Sequence, residues 1–308
     1  MLSKTAFIFP GQGSQIVGMG KDFYEGFAEA RALYDEANER LGAALTTVSF
    51  EGPEEALKQT RFTQPALYVH SLVIASLLTK RGLTADAAAG HSLGEFSALA
   101  YADAFSFAEG LALVKVRAEL MQVAGEKEPG SMAAVVGMEA EDVMSICIEV
   151  REQGIVQPAN YNSPQQIVIS GSVEGVSAAM ALAKERGAKR VVALPVSGAF
   201  HSPLMASAVD RFGNALDRTN VQMVRIPVYA NVTAVAVSNA EEIKNLLHHQ
   251  LTHSVRWVET IQNMIRWGVT RFIEVGSGKV LSGLVKRVSR DVEILQCGTV
   301  EDLETIGA

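Results

Sequence analysis

The segment Gly90-His91-Ser92-Leu93-Gly94-Glu95 decides the fold of this chain. It follows a run of small residues, Ala85–Ala89, and opens a helical pattern that continues to Ala102. A strand, a tight Gly-x-Ser-x-Gly turn and a helix together form a nucleophile elbow, in which the serine stands exposed above a sheet. We therefore predict that Ser92 is a nucleophile.

Both glycines of this turn have a physical reason. The turn forces the serine into a sparsely populated backbone conformation, and only residues without a Cβ atom fit beside it. The main-chain N–H of Leu93 then lies at the start of the helix, where it can stabilise a negatively charged oxygen.

Composition excludes several classes of protein. The chain has 308 residues, of which 48% are hydrophobic, which is enough for one large domain or two smaller ones. No run approaches the length of a membrane-spanning helix, and no secretory signal is visible. The two cysteines, Cys147 and Cys297, lack metal-site spacing, and the net charge is −7. We expect a cytoplasmic protein without a metal, a nucleic-acid partner or a membrane partner.

The chain begins with a buried strand, residues 5–10, and a polar glycine loop, Gly11–Gln15. The loop is too short for a dinucleotide fingerprint. It is either a plain strand–helix turn or the source of a second oxyanion donor, as in α/β-hydrolase-type sites. The sequence predicts helices from this loop to about Arg40 and over residues 64–81, with Pro65 at the start of the second.

A segment with a different order of strands and helices is inserted in the larger strand–helix pattern. Residues 131–194 alternate as β-α-β-β-α-β, the ferredoxin-like order. We predict an α/β fold with an α/β-hydrolase-like, mainly parallel large subdomain, residues 1–125 and 197–308, and a ferredoxin-like small subdomain, residues 126–196. Residues after about 291 carry little signal.

Arg117 lies beside the apolar stripe of a helix predicted over residues 106–124, with no carboxylate one turn away. A partly buried guanidinium without a partner costs several kcal/mol. Either a distant Asp or Glu meets it, or the carboxylate of a ligand does. His201 lies in a loop just before a helix capped by Ser202, and it is the best available base for Ser92. His70 fits a packed histidine better than a catalytic one.

These motifs together resemble the malonyl-CoA:acyl carrier protein transacylase family of type II fatty acid synthesis, whose members are freestanding enzymes. The resemblance covers nearly the whole chain in the right order. The matching segments are Phe9–Gln15, Thr63–Ala66, Gly90–Ser97, Arg117, Asn160–Ser163, Gly198–Ser202 and Glu274–Gly278.

The resemblance assigns roles to residues of this chain. It implies that Ser92 is the nucleophile, that His201 is its base and that Arg117 holds the malonyl carboxylate. It also implies that the main-chain N–H groups of Gln12 and Leu93 form the oxyanion hole.

The resemblance further implies that Gln250 is a site residue near the nucleophile and its base. The family orients its histidine with main-chain carbonyl groups, and we expect Asn231 to supply one of them. Asn160 and Asn162 are expected to line the cofactor channel. Phe200 matches the malonyl-selecting form of its motif.

The implied reaction transfers a malonyl group from malonyl-CoA to the phosphopantetheine thiol of holo acyl carrier protein, through a malonyl-serine ester. No permanently bound cofactor is expected, and the chain is expected to be a monomer. Basic residues expected to dock the acidic carrier are Lys189, Arg190, Lys286 and Arg287, although scattered solvated charges are the alternative. The rival functions are a serine thioesterase or esterase, a noncatalytic scaffold, and the transacylase subunit of a malonate decarboxylase.

Overall fold

The computed structural model describes residues 3–196 and 198–306. Ser197 and the outermost residues, where the predicted subdomain ranges begin or end, lie outside the described residues. The strands are β1 (Lys4–Phe9), β2 (Ala87–Gly90), β3 (Gly130–Val136), β4 (Val156–Ser163), β5 (Gln166–Ser172), β6 (Arg190–Ala193), β7 (Val228–Tyr229), β8 (Ala236–Val237), β9 (Val269–Val275) and β10 (Glu293–Cys297).

The helices surround these strands, and a short 3₁₀ turn, Pro203–Met205, precedes the tenth of them. The helices are α1 (Lys21–Gly26), α2 (Ala28–Leu41), α3 (Leu45–Glu51), α4 (Glu54–Leu57), α5 (Thr60–Lys80), α6 (Gly94–Tyr101), α7 (Phe107–Lys127), α8 (Ala140–Glu149), α9 (Val173–Glu185), α10 (Ala206–Arg218), α11 (Ala240–Gln250), α12 (Trp257–Arg266), α13 (Val280–Val288) and α14 (Val300–Ile306).

The larger sheet places the ends of its central strands at one edge. Its order over the described residues is β10-β9-β1-β2-β7-β8, with every neighbouring pair parallel except β7 and β8. Phe9 is opposite Gly90, and Ile8 is opposite Glu274. Because parallel strands end at the same edge, the loops after β1, β2 and β9 meet there.

The smaller sheet is antiparallel and has the order β4-β5-β3-β6 in the described part of the chain. Helices α8 and α9 join its strands in the sequence β-α-β-β-α-β. This is the ferredoxin-like arrangement, so the predicted fold class is confirmed in both parts. The predicted limits of the small subdomain stay a prediction, and α7 continues to Lys127, past the expected helix end at Ala124.

Hydrogen bonds to the main chain of β4 join the free edge of the small sheet to the segment before α12. The N–H of Tyr161 donates to the carbonyl of Val255 over 2.9 Å, and the N–H of Val255 donates to the carbonyl of Ala159 over 2.8 Å. The hydroxyl of Ser254 donates to the carbonyl of Pro158 over 2.6 Å. These contacts fix β4 above the segment that leads into α12.

Several local predictions are wrong. The first predicted helix is divided at Phe27, which has an extended backbone between α1 and α2. Helix α5 begins at Thr60, so Pro65 is its sixth residue rather than its start. The proline removes one hydrogen bond to the Arg61 carbonyl, and burial of most of the helix outweighs that loss. The sequence also missed β8, β10 and α14.

Helix α5 also corrects the expectation about long apolar segments. Of the helices in the described residues, it alone is long and apolar enough to cross a membrane by length and composition. Most of that apolar stretch is buried inside the fold. The helix packs against α6 and α7 and forms much of the core of the large part.

Acid should destabilise the protein through His70, a fully buried residue of α5. Burial lowers the pKa of His70 to about 4, against about 6.5 in an unfolded chain. The unfolded state therefore binds the proton first, and stability falls as the pH drops below about 6.5. Between pH 7 and pH 5, we expect His70 to account for a loss of about 2 kcal/mol. Urea denaturation of the parent and of His70→Leu should show a smaller acid-induced loss in the variant; equal losses would contradict the assignment.

Candidate active site

The elbow after β2 has the geometry that its glycines predict. Ser92 has a φ of 51°, in the left-handed region. A Cβ on Gly90 would lie 1.8 Å from the main-chain carbon of Gly94, and a Cβ on Gly94 would lie 2.0 Å from the Phe9 carbonyl oxygen. Both positions therefore exclude any side chain, and the serine is presented at the sheet edge where three loops meet.

His201 is the base that contacts the serine. Its Nε2 lies 2.8 Å from Ser92 Oγ, and its own φ is 58°. Its Nδ1 lies 2.8 Å from the carbonyl oxygen of Gln250 and 3.1 Å from that of His253. Because both carbonyls can only accept, Nδ1 carries the proton and Nε2 is free to accept one from the serine.

Asn231 does not supply a carbonyl to the histidine, so that prediction is wrong. Its side chain instead supports the elbow: Oδ1 accepts the Ser92 N–H over 2.7 Å, and Nδ2 donates to the Gly90 carbonyl over 2.6 Å. The residue lies after β7, the sheet neighbour of β2, and this position brings it to the turn. Asn231 therefore fixes the nucleophile's backbone.

Arg117 is fully buried beside the nucleophile. Its Nη2 donates to Ser92 Oγ over 3.0 Å and to Gln250 Oε1 over 2.9 Å, and its Nη1 donates to Gln64 Oε1 over 2.8 Å. In the part of the chain that the structure describes, it forms no ion pair with a carboxylate. Burial lowers its pKa to about 9, partly opposed by the charge of Glu95.

Burial also keeps the base neutral. It lowers the pKa of His201 to about 3, and the charge of Arg117 acts in the same direction. A neutral imidazole hydrogen-bonded to a serine hydroxyl is the arrangement that general-base activation requires.

The two expected oxyanion donors lie at the elbow. A Cβ on Gly11 would lie 2.3 Å from the carbonyl oxygen of His91, so the loop that carries Gln12 packs directly on the turn. Within residues 3–196 and 198–306, neither the N–H of Gln12 nor that of Leu93 donates to a protein acceptor. Their role as an oxyanion hole remains a prediction.

The other expected site residues surround this centre. The side chain of Asn162 contacts His91, with 2.8 Å between Oδ1 and Nε2, and this turns His91 away from the nucleophile. Asn160 and Phe200 are both buried, the latter directly before His201. Lining of a channel by the two asparagines and acyl selection by Phe200 remain predictions.

Three side chains were not singled out from the sequence. Gln64 holds Arg117 and lies in the Thr63–Ala66 segment of the family resemblance. Gln157 donates from Nε2 to the carbonyls of His201 and Thr252, over 2.8 and 3.2 Å. Glu95 lies within the motif itself and accepts from Gln250. Gln64 and Glu95 could have been found from the sequence because they lie in segments that match the family, whereas Gln157 lies in none of them.

The four basic residues lie towards the same end of the small sheet. Arg287 donates to Gln166, Gln166 is opposite Val136, and Val136 is opposite Arg190. Lys189 packs over Gly137, and Lys286 lines an open groove together with Arg287. All four are exposed. The described residues contain no cluster of three His, Cys, Asp or Glu side chains able to hold a metal ion.

Comparison with known proteins agrees with this geometry. Residues 6–303 match the acyl transferase domain family. A malonyl CoA-acyl carrier protein transacylase of Bacillus subtilis is 46% identical over 99% of this chain and 96% of its own. The crystal structure of an acyl-carrier-protein-S-malonyltransferase from Bartonella henselae superposes with a TM-score of 0.95 at 42% identity, covering 98% of both chains.

A third match includes a carrier protein. A malonyl-transacylase solved in complex with its type II PKS acyl-carrier protein has a TM-score of 0.95 at 38% identity, with 98% of both chains covered. The matched family, together with the serine–histidine pair, places the chain in the class of acyltransferases. The chain belongs to one family within that class, the malonyl CoA-acyl carrier protein transacylases, and the resemblance read from the sequence is confirmed.

Proposed function

We propose that this enzyme transfers the malonyl group of malonyl-CoA to the phosphopantetheine thiol of acyl carrier protein, through a malonyl ester of Ser92. The observation that carries this proposal is the Arg117 guanidinium, which is 3.0 Å from the nucleophilic oxygen and which, among the described residues, is held only by neutral acceptors. The carboxylate of a malonyl group lies one methylene beyond the reacting carbonyl, so it reaches this guanidinium when the carbonyl meets Ser92.

The first half of the reaction acylates the serine. Nε2 of His201 takes the hydroxyl proton as Ser92 Oγ attacks the thioester carbonyl. The C–S bond then breaks, and the proton passes from Nε2 to the departing CoA thiolate. In the second half, His201 takes the proton of the carrier thiol, the thiolate attacks the ester, and the proton returns to Ser92.

The negative charge that develops on the carbonyl oxygen has two candidate donors. Leu93 lies in the elbow and Gln12 follows Gly11, which packs on it, and neither main-chain N–H donates to a protein acceptor among the described residues. In other acyl-transfer enzymes, one such donor lowers the activation free energy by about 3–4 kcal/mol.

Arg117 selects the acyl group by charge. Three neutral oxygens hold it in the free enzyme, and a carboxylate makes stronger, bidentate hydrogen bonds than any of them. A malonyl carboxylate is therefore able to displace the Ser92 oxygen, while Gln64 and Gln250 keep their hydrogen bonds to Arg117. An acetyl group leaves the guanidinium with its neutral partners and gains nothing, which disfavours it.

Hydrolysis finds no specific support in this site. The catalytic histidine is held by main-chain carbonyls rather than by a carboxylate, and an arginine stands at the acyl position. The proposal has four further parts. The enzyme supplies fatty acid synthesis and releases CoA, it has no bound cofactor, and it is cytoplasmic. The buried, free thiols of Cys147 and Cys297 suit a reducing compartment.

Intact-protein mass spectrometry tests the transfer directly. Mixed with malonyl-CoA, the parent should gain one malonyl group, and Ser92→Ala should gain none. Addition of holo acyl carrier protein should move the group to the carrier. An adduct that decays equally fast with and without carrier would instead identify a hydrolase.

Arg117→Ala should separate the two acyl groups. We expect kcat/KM for malonyl-CoA to fall by about 100-fold, the value of a charged hydrogen-bonded pair, while transfer of acetyl persists or rises. Arg117→Lys keeps the charge without the bidentate geometry and should recover only part of the loss. Equal losses for malonyl and acetyl transfer would remove the assignment.

The basic residues are proposed to dock the acidic carrier, with Lys286 and Arg287 as the most direct test. Reversing both charges should raise KM for the carrier several-fold and make it less sensitive to salt. Transfer to free pantetheine should not change. The matched control reverses two other exposed charges, Arg151→Glu with Lys184→Glu; an equal effect there would show that net charge, not this surface, is responsible.

A further inference from the structure

Glu95 is a buried carboxylate that the proposed mechanism does not use. It lies in the first turn of α6, three residues after the nucleophile, and is only 2% exposed. Its Oε2 accepts from Nε2 of Gln250 over 2.6 Å and from the N–H of Asn231 over 3.3 Å. Both partners in turn contact Ser92.

The hydrogen bonds of the Gln250 amide allow only one orientation. Nε2 faces two acceptors, the Ser92 carbonyl at 3.0 Å and Glu95 Oε2. Oε1 faces Nη2 of Arg117, which can only donate. A flipped amide would place donor against donor and acceptor against acceptor. The carboxylate of Glu95 therefore reinforces, together with the Ser92 carbonyl, the orientation in which Oε1 of Gln250 meets the arginine.

The amide also separates two buried ionisable groups, Glu95 and Arg117. Each pulls the pKa of the other towards the charged form: Glu95 raises that of Arg117, and Arg117 lowers that of Glu95, which burial has raised to about 7. A carboxylate in direct contact would occupy the guanidinium with a bidentate pair. With Gln250 between them, Arg117 has a counter-charge nearby but only neutral oxygens on its donors.

We propose that Glu95 is a positioning residue that acts through the Gln250 amide to orient Arg117 for an acyl group bearing a carboxylate. This inference rests on the proposed malonyl transfer. Glu95 then affects malonyl transfer more than acetyl transfer, because the amide's contact with Arg117 matters only when the arginine holds the substrate.

The sign of one substitution distinguishes positioning from simple electrostatics. An ionised Glu95 repels an incoming carboxylate, so if it acted only through its charge, Glu95→Gln would speed malonyl transfer. If it positions Gln250, Glu95→Gln slows that transfer, because a neutral amide oxygen accepts the Gln250 N–H group more weakly than a carboxylate and holds the amide less firmly.

The experiment measures single-turnover acylation of the full chain by malonyl-CoA and by acetyl-CoA. The variants are Glu95→Gln, Gln250→Ala and the double variant. We expect Glu95→Gln to lower the malonyl rate about tenfold or more, with a much smaller change for acetyl. We expect the double variant to be no slower than Gln250→Ala alone, since residues that act as one unit are not additive.

Glu274→Gln is the matched control for the loss of a buried carboxylate. Glu274 is fully buried and accepts the N–H groups of Leu281 and Ser282, outside the site. It should alter stability without altering the ratio of malonyl to acetyl rates. If Glu95→Gln does not fold, Glu95→Asp replaces it, and the same malonyl-specific loss is expected from its shorter reach.

Three results would overturn the inference: a faster malonyl rate, equal losses for both acyl groups, or additive effects in the double variant. Failure of the parent chain itself to accept malonyl would instead overturn the proposed function. Acylation of the parent chain by malonyl-CoA therefore distinguishes failure of the inference from failure of the proposed function.

Discussion

A positive charge enclosed in the core constrains the whole site. Arg117 is tolerated there only because three oxygens accept its hydrogen bonds, and they come from different elements: Gln64 in α5, Ser92 at the elbow and Gln250 at the end of α11. An unpartnered guanidinium costs several kcal/mol. The three elements must therefore converge on one point. The same convergence packs the large subdomain and sets the geometry of its catalytic centre.

The sequence predicted those features that depend on local pattern. The elbow follows from two glycines around Ser92, and β1 follows from the continuous apolar run within residues 5–10. The β-α-β-β-α-β order was visible for the same reason. The residues alone indicated His201 as the best available base, and the motif resemblance placed it and Arg117 together at the nucleophile.

Features that depend on distant contacts were not predictable in this way. Asn231 supports Ser92 across 139 positions of sequence, and nothing near it indicates whether its side chain or its carbonyl is used. Pro65 indicates a helix start, but burial of α5 outweighs its local preference. Strand β10 is only half buried at a sheet edge, so it lacks the continuous apolar run by which β1 was recognised.

The orientation of the catalytic histidine depends on main chain alone. The carbonyls of Gln250 and His253 hold Nδ1, and every amino acid at those positions carries the same carbonyl. The support of the histidine therefore depends on the path of the backbone between α11 and α12 and not on any side chain. A substitution at either position leaves this support of the histidine in place, so substitution of single residues finds no third member of a triad. What must be preserved is the path itself, which the main-chain pairing of Val255 with β4 maintains.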